Sequence, residues 1–391
     1  MKAFWAPVVL TLCACCALIA TAGGPAAKPK IPSYLITNDD HPPKIATSGT
    51  AFRVAEDGSL HNATHISIGS GGAAGGYFAT KRVSILSTGS LACAFLSLGA
   101  SGDVSAVDLS TLSAVGNYAA SDTDTGIDNG TGLVNNGTYL YASFSTSKTI
   151  GTFTILPGCG LQFLSDVAAA GKNGAAVKGM ATHGNLLIAA YGDGSIESFN
   201  IAAGAPVSNG DLQNASGYAT DRYPSGVDIT QDGHFAIFGD MATNTTVEIS
   251  DISSGKLTKT ILYTLGPASN SNNVLLSPDG SLIYITNAGT GQVSAAFFDK
   301  TTGKVSPGCT THHLRGFDSG WVFMGALATQ LNTGTGQTVY VAEYGSPSGI
   351  GVINVALSGG TCTLTEAAHS PVVAPYTTTL LSIGVYPPRQ F

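Results

Sequence analysis

The stretch LSPDGSLIYITNAGTGQVSAAFFDKTTGKV, residues 276–305, decides the fold. Apolar residues alternate with polar ones in short runs, and turn residues interrupt these runs about every eight positions. Asp279-Gly280 and Thr302-Gly303 are typical of tight hairpin turns, because glycine accepts the positive φ that such turns require. The stretch therefore predicts a four-stranded antiparallel sheet. Such a sheet has two bare edges, so we expect it to be one copy of a repeated unit.

Six further segments of the chain repeat this pattern. One residue in the second strand of each unit marks its position, in the order Tyr34, Ala92, Leu140, Leu187, Ala236, Ile283 and Val339. Subtraction of these numbers gives spacings of 58, 48, 47, 49, 47 and 56 residues. Spacings of roughly 50 residues are typical of propeller blades. The sequence therefore predicts an all-β fold, a seven-bladed β-propeller.

The two ends of the chain indicate how the ring closes. Residues 23–32 are rich in proline, glycine and lysine, and they give the first unit no strand ahead of Tyr34. The run TTTLLSIGV, residues 377–385, is a surplus strand after the seventh unit. We expect this C-terminal strand to complete the first blade, which leaves the ring without an open edge. The propeller is therefore assigned to residues 33–391, after a linker at 23–32.

Residues 1–22 have the pattern of a secretory signal peptide. Lys2 precedes an apolar run, and Ala20-Thr21-Ala22 is a cleavage site of the A-x-A type. A membrane anchor is the less favoured alternative, because the apolar run is short. We expect the mature protein to begin at or near Gly23, with no stable membrane insertion after cleavage. It would then be secreted, periplasmic or attached to the cell surface.

Charge and cysteine content limit the possible partners and the cellular compartment of the protein. The net charge is −7, and the absence of a basic run argues against a nucleic-acid partner. Four cysteines remain after the leader, which permits two disulfides in an oxidising compartment and three ways of pairing them. Cys309 and Cys362 lie near the outer strands of neighbouring predicted blades, so we favour that pair. Cys93 lies within an apolar strand and is interpreted as a buried free thiol.

Two segments resemble a known family. LLSPDGSLIYITNAGTGQVSAAFF, residues 275–298, and GVDITQDGHFAIFGD, residues 226–240, are similar to the secreted members of the lactonase-like seven-bladed propellers. That superfamily includes 6-phosphogluconolactonase-type and carboxymuconate-cyclase-type enzymes together with YVTN-repeat surface proteins. The resemblance covers nearly the whole chain after the leader. It implies a site for a small-molecule ligand, a lactone or a carbohydrate, at one mouth of the central channel.

The connectivity of a blade identifies that mouth. The loops between second and third strands lie on the same face as the crossovers between blades, and the Asp-Gly turns lie on the other face. These loops and crossovers supply the predicted ligand-binding residues Asp240, Asn272, Asn273, Asn287, Trp321 and Tyr344. The crossovers also contain Lys178 and Tyr223.

Lactonase-like enzymes of the resembled family use histidine, arginine and glutamate around the channel to bind an anionic substrate and to move a proton. The resemblance implies the same chemistry for a set of candidate catalytic residues: Arg82, His312, His313, Arg315 and Glu343. Arginine forks bind a carboxylate or a phosphate, and an imidazole or carboxylate acts as acid or base. The sequence contains no G-x-S-x-G motif, which argues against a serine hydrolase.

Two other interpretations stay open. Asparagine, tyrosine and tryptophan at the mouth also suit a non-catalytic platform that binds a carbohydrate or a protein, and the fold does not decide between them. DTDTGIDNG, residues 122–130, places Asp122, Asp124 and Asp128 around a glycine, as in a calcium loop. A polar crossover loop without metal is the alternative. We expect no required cofactor and a monomeric protein.

Overall fold

The structure is a computed structural model that describes residues 31–40, 46–70, 80–89, 91–99, 101–120, 132–214, 223–242, 246–265, 270–316, 324–332, 336–343, 348–377 and 379–388. A compact unit begins at Pro32 and extends to Phe391. The predicted signal peptide and nearly all of the predicted linker lie outside the described residues.

The described residues form 29 strands and one short helix. In chain order the strands are β1 (Tyr34–Asp40), β2 (Ala46–Val54), β3 (Leu60–Ser70), β4 (Val83–Thr88), β5 (Leu91–Leu98), β6 (Asp103–Asp108), β7 (Ser113–Ala119), β8 (Leu133–Asn135), β9 (Tyr139–Phe144), β10 (Thr149–Ile155), β11 (Leu161–Ala168), β12 (Val177–His183), β13 (Leu186–Tyr191), β14 (Ile196–Asn200), β15 (Val207–Ser208), β16 (Pro224–Ile229), β17 (Phe235–Asp240), β18 (Val247–Asp251), β19 (Thr260–Tyr263), β20 (Ser271–Leu276), β21 (Leu282–Asn287), β22 (Gln292–Asp299), β23 (Lys304–Thr310), β24 (Met324–Asn332), β25 (Gly336–Glu343), β26 (Gly349–Ser358), β27 (Thr361–Glu366), β28 (Val372–Val373) and β29 (Thr379–Tyr386). The helix is a 3₁₀ turn at Pro157–Cys159. None of the described segments is a helix that is long and apolar enough to cross a membrane.

The strands form seven antiparallel sheets, which are the predicted seven blades. Blade 1 has the order β29-β1-β2-β3, and blades 2 to 7 each follow the chain outward from β4, β8, β12, β16, β20 and β24. We call the strands of each blade A to D from the channel outward. Strand β29 pairs with β1 from Tyr34↔Tyr386 to Asp40↔Thr379, which confirms ring closure by the C-terminal strand. All seven marker residues of the sequence repeat lie in B strands.

The core lies between blades, and it buries both faces of each B strand. In β21 every residue is buried, which agrees with the weak alternation of apolar and polar residues in its sequence. Tyr284 packs with Val339 of blade 7, while Ile285 packs with Ile237 of blade 5. A blade inside a closed ring has a neighbour on each side, so both parities of its B strand are apolar.

Tight turns join the strands where the sequence predicts them. Gly280 has φ 72° between β20 and β21, and Gly303 has φ 69° between β22 and β23. The side chain of Asp279 caps the first turn, because its Oδ1 accepts the Ser281 backbone N–H at 3.1 Å. The Asp-Gly signals therefore fix strand boundaries locally.

Two disulfides join neighbouring blades. Cys309 in β23 is bonded to Cys362 in β27, which confirms the favoured pair. Cys93 in β5 is bonded to Cys159 in the 3₁₀ turn of blade 3, so its interpretation as a free thiol is wrong. Cys93 occupies the B-strand position that follows the marker residue, and this position faces the next blade. Its partner is therefore distant in sequence but adjacent in space.

Candidate functional site

The mouth face is the end of the ring where A strands begin and B strands finish. In an antiparallel blade these two ends meet at one edge, next to the crossovers between blades. Blade 5 shows the arrangement, because Pro224 at the start of β16 pairs with Asp240 at the end of β17. The ligand site predicted from the sequence belongs to this face.

The A strands of blades 4 to 7 each carry a β-bulge at the mouth face. The pairing register shifts within these pairs of residues: Val177/Gly179, Pro224/Val227, Ser271/Val274 and Met324/Leu327. A bulge takes residues out of the ladder and re-aims their side chains, and bulges are common beside active sites. Blades 4 to 6 thereby place four buried polar residues at the channel mouth, which we call the bulge set: Lys178, Ser225, Asn272 and Asn273.

A short segment, Thr80–Arg82, crosses the channel beside the bulge set, and we call it the crosspiece. The Thr80 N–H donates to the Lys178 carbonyl oxygen at 2.9 Å, and Asn273 Nδ2 donates to the Thr80 carbonyl oxygen at 3.2 Å. Lys81 Nζ donates to the Val227 carbonyl oxygen at 2.9 Å. These three acceptors and donors belong to blades 4, 6 and 5, so the crosspiece spans the channel.

Arg82 lies at the blade 1 and blade 2 side of the crosspiece and is buried. Its backbone N–H donates to Ser382 Oγ at 2.9 Å, and its Nε donates to Ser97 Oγ at 3.0 Å. Asn38 Nδ2 donates to the Ser97 carbonyl oxygen at 2.9 Å. The Oδ1 atom of Asn38 is buried and accepts no hydrogen bond from the described residues. A guanidinium and an amide oxygen are thus held together beside the channel.

Lys178, whose carbonyl oxygen accepts the Thr80 N–H, is 9% exposed. Its Nζ is 3.1 Å from Met241 Sδ and 5.5 Å from the centroid of the Tyr223 ring. Burial lowers the pKa of Lys178 to about 8, because an ammonium ion loses its hydration there.

Behind this lysine is a pair of fully buried acids, Asp240 in β17 and Glu248 in β18. Asp240 Oδ1 accepts the N–H groups of Tyr223 at 2.9 Å and Ala242 at 2.7 Å. Burial, followed by the hydrogen bond with Glu248 and its repulsion, raises the pKa of Asp240 well above the usual aspartate range. Two adjacent buried carboxyl groups cannot both ionise, so the pair holds a proton at neutral pH.

Glu343, at the end of β25, is a second buried acid and is 2% exposed. Neither of its carboxyl oxygens has a hydrogen-bond partner among the described residues. A Cβ added at Gly351 would lie 2.3 Å from Oε1, and a Cβ at Gly316 would lie 1.8 Å from Oε2. The two glycines therefore leave the space that this carboxyl group fills. Burial, then the charge of Glu366, raises the pKa of Glu343 to about 8, and Arg315 opposes this shift.

Arg315 is bound within blade 7. Its backbone N–H donates to Glu366 Oε2 at 2.9 Å, and its Nε is 3.3 Å from the same oxygen. Nη1 donates to the Ala368 carbonyl oxygen at 3.0 Å, and Nη2 donates to that of Ala367. The guanidinium thus joins the crossover after blade 6 to the outer part of blade 7.

The structure divides the predicted catalytic set into two groups. Arg315 lies beside Glu343 of blade 7, and His312 and His313, which precede Arg315 in the same crossover, are exposed. Arg82 lies in the channel, at the start of blade 2. The two groups are thus on different parts of the mouth face.

The predicted ligand-binding residues that the structure describes are all buried at the mouth face: Asp240, Asn272, Asn273 and Asn287. Asn287 Nδ2 donates to Ser294 Oγ at 2.7 Å, and its Oδ1 accepts from Ser271 Oγ at 3.3 Å, so it joins strands within blade 6. The remaining predicted site residues lie outside the described residues: Asp122, Asp124, Asp128, Trp321 and Tyr344. Across the described ranges no cluster of three metal-ligating side chains occurs.

A family model described as "Lactonase, 7-bladed beta-propeller" matches residues 94–377. The chain belongs to the seven-bladed lactonase family. No curated protein has a sequence that matches this lactonase-family chain.

Solved structures share the fold of this lactonase-family chain over most of its length. A periplasmic gluconolactonase of Pseudomonas aeruginosa is 13% identical, with a TM-score of 0.67 over 90% of this chain and 99% of that one. A putative 6-phosphogluconolactonase of Bacteroides fragilis is 17% identical, with a TM-score of 0.62 over 92% and 99%. One from Bacteroides uniformis is 14% identical, with a TM-score of 0.64 over 91% and 100%. At these identities the likeness shows the fold alone.

Three polar residues of this lactonase propeller were not assigned from the sequence: Ser225, Lys81 and Glu248. Ser225 and Lys81 owe their positions to a bulge and to the crosspiece, which leave no local signal. Glu248 did leave one, because it is an acid inside the apolar third-strand run TTVEISDI. Glu197 occupies the same position in the run GSIESFNI of blade 4, where it accepts hydrogen bonds from Tyr191 and Ser208.

The raised pKa of Glu343 predicts how its contribution to stability depends on pH. The folded pKa of about 8 lies above the ordinary glutamate pKa of 4.5, so the folded state holds the proton more tightly. The contribution of the protonated Glu343 to stability is fully present below about pH 4.5, and it is lost as the pH rises towards 8. Between pH 5 and pH 8, the unfolding free energy of the parent protein should fall by up to about 4 kcal/mol because of Glu343. We expect Glu343→Gln to lack this part of the fall.

Urea unfolding at pH 5 and at pH 8 measures this difference for the parent protein and the variant. The exposed Glu56 provides a control, and we expect Glu56→Gln to keep the parent's pH dependence. Equal pH dependence in Glu343→Gln and the parent would contradict the assignment of a buried, protonated carboxyl group.

Proposed function

We propose that this protein is a lactonase that opens a small lactone at the mouth face, with the bulge set and Arg82 binding the substrate. Membership of the lactonase family supports the reaction class. The observation that carries the proposal is the repeated bulge of blades 4 to 6, which places Lys178, Asn272 and Asn273 beside the crosspiece. A row of identically placed bulges is the kind of local irregularity that re-aims side chains for a site.

The polar groups at this mouth suit hydrolysis of a cyclic ester. Water attacks the acyl carbon, the ring C–O bond breaks, and the departing alkoxide takes up a proton. Amide and guanidinium donors stabilise the negative charge that develops on the carbonyl oxygen. Asn272, Asn273 and Arg82 offer such donors. The attacking water supplies the proton that the alkoxide takes up. Asp240 is a positioning residue, because its Oδ1 accepts the Tyr223 N–H and so holds the backbone at the mouth.

The substrate class that we propose is a sugar-acid lactone. Its ring hydroxyls match the amides of the bulge set, and an acidic substituent matches the cations Lys81 and Arg82. The names of the similar gluconolactonase and putative 6-phosphogluconolactonase structures are consistent with this class. Two disulfides between blades support a place outside the cytoplasm, because such bonds persist in oxidising compartments. The periplasmic location of the similar Pseudomonas protein is consistent with this.

A panel of sugar and aromatic lactones, followed by acid release at constant pH, tests the proposal. We expect turnover of sugar-acid lactones by the parent protein. Arg82→Lys should lower the turnover rate by roughly a hundredfold, since the shorter side chain cannot reproduce the guanidinium contacts. Arg53→Lys, an exposed change in β2, is the matched control and should leave turnover unchanged.

Two outcomes contradict parts of this assignment. If Arg315→Lys abolishes turnover and Arg82→Lys does not, the chemistry belongs to the group in blade 7 with His312, His313 and Glu343. If no lactone in the panel is hydrolysed, and the protein is retained on a glycan array, the enzyme proposal fails and the binding platform replaces it.

A further inference from the structure

Lys178 differs in its surroundings from the other lysines that the structure describes. Its side chain is buried, whereas Lys300 and Lys304 are exposed. No described carboxylate forms an ion pair with it, and burial is the cause of its shifted pKa. A buried ammonium ion without a counter-ion is costly, so these surroundings raise the fraction of neutral amine.

The pocket around the amine is built from groups that cannot take a proton from it. Met241 Sδ is a weak acceptor 3.1 Å from Nζ, and the Tyr223 ring lies on another side. The Met241 N–H donates to the Tyr223 carbonyl oxygen at 3.0 Å, and Tyr223 Oη donates to the Gly192 carbonyl oxygen. These bonds fix both neighbours, so the lysine amine lies beside a thioether and an aromatic ring that are held in place.

The backbone places this pocket at the channel mouth. Lys178 lies within the bulge between Val177 and Gly179, at the mouth end of β12. Its carbonyl oxygen accepts the Thr80 N–H of the crosspiece, which also carries Lys81 and Arg82. The amine therefore lies on the same face as two cations.

A neutral amine in such a pocket is a nucleophile. With a pKa of about 8, Lys178 has on the order of a hundredfold more free amine at pH 7 than an ordinary lysine. Lysines desolvated in apolar pockets are the ones that proteins use to form Schiff bases.

We propose that Lys178 is a reactive-amine site that forms an imine with small carbonyl compounds carrying an anionic group. The Nζ lone pair adds to the carbonyl carbon, and the carbinolamine then loses water to leave a C=N bond. One amine and one carbonyl give one imine and one water, with no oxidant or reductant. The anionic group of the compound pairs with the cations of the crosspiece. This proposal can be tested without lactone turnover, because the product of imine formation is detected on the protein itself.

Reductive trapping tests the proposal on the full chain. The protein is treated at pH 7 with glyoxylate, an anionic aldehyde, and sodium cyanoborohydride, which reduces the imine to a stable carboxymethyl amine. Peptide mass mapping against time gives the rate at each lysine. We expect Lys178 to react at least about tenfold faster than Lys300 and Lys304. In the urea-unfolded chain, all three lysines should react at equal rates.

Two comparisons complete the design. Lys178→Met should lose the fast phase of labelling and keep the slow phase at exposed lysines. Acetaldehyde, which has no charge, should show a smaller preference for Lys178 than glyoxylate does. Labelling of Lys178 at or below the rate of Lys300 in the folded parent protein overturns the proposal, and that comparison needs no variant. Equal preference for both aldehydes overturns the requirement for an anionic group.

Discussion

Deletion of residues 377–391 is expected to prevent formation of a closed ring and to leave an aggregated chain. The deleted segment contains β29, the innermost strand of blade 1, which pairs with β1 along its whole length. It also contributes Leu380, Ile383 and Val385 to the core between blades 7 and 1. Without β29, the inner edge of β1 and this apolar surface are exposed, and an unpaired strand edge recruits other chains.

Size-exclusion chromatography with light scattering measures the outcome. Deletion of residues 389–391 alone is the matched control, because it keeps all of β29. We expect the control to elute and to melt as the full chain does. A truncation at residue 376 that elutes at the same size as the full chain and has the same melting temperature would show that closure does not depend on β29.

Gly179→Ala is expected to destabilise the ring by about 3 kcal/mol. Gly179 lies in β12, and a Cβ there would come within 2.2 Å of the Ser225 carbonyl oxygen and 3.0 Å of Thr80 Oγ1. The obstacle is the backbone of the neighbouring A strand, which cannot rotate out of the way as a side chain can. The inner strands of blades 4 and 5 must therefore separate, and the crosspiece must shift with them.

Gly160→Ala is the control for this substitution. A Cβ at Gly160 meets nothing closer than Tyr118 Oη at 3.5 Å, an ordinary van der Waals contact. We expect that variant to stay within about 0.5 kcal/mol of the parent in urea unfolding. If Gly179→Ala is as stable as Gly160→Ala, the close packing of the A strands around the channel is wrong.

The architecture was predictable from the sequence because its signals are local and repeated. Gly280 and Gly303 adopt the positive φ that their turns require, and each such turn fixes the ends of two strands. Seven copies of one spacing then leave few alternatives to a ring. The closing strand was predictable for a similar reason, since a strand that remains after the seventh unit must pair with the first unit, which lacks one.

The disulfide of Cys93 was not predictable in the same way. An apolar run around a cysteine indicates burial, and Cys93 is indeed fully buried. Which residue it meets depends on the packing of blade 2 against blade 3, which brings Cys159 to it across 66 residues of sequence. Pairing of this kind is a property of the assembled ring.

The sequence predicts the face of the ring that carries the candidate site, but it predicts only some of the residues in that site. Connectivity places Asn272, Asn273 and Asp240 at the mouth face. The sequence does not show the bulges that re-aim Lys178 and its neighbours, because a register shift depends on how two strands pair. It also does not show that Arg315 is held by Glu366, which takes this arginine away from Arg82.

The most direct test of the central claim, that the lactone binds at the bulge set, is a crystal structure. The protein would be soaked with the hydroxy-acid product of the best lactone in the panel. The account predicts density at the channel mouth, with oxygens of the product within hydrogen-bond distance of Arg82 and Asn272. Density confined to blade 7 between His313 and Glu343, with an empty channel mouth, would contradict it.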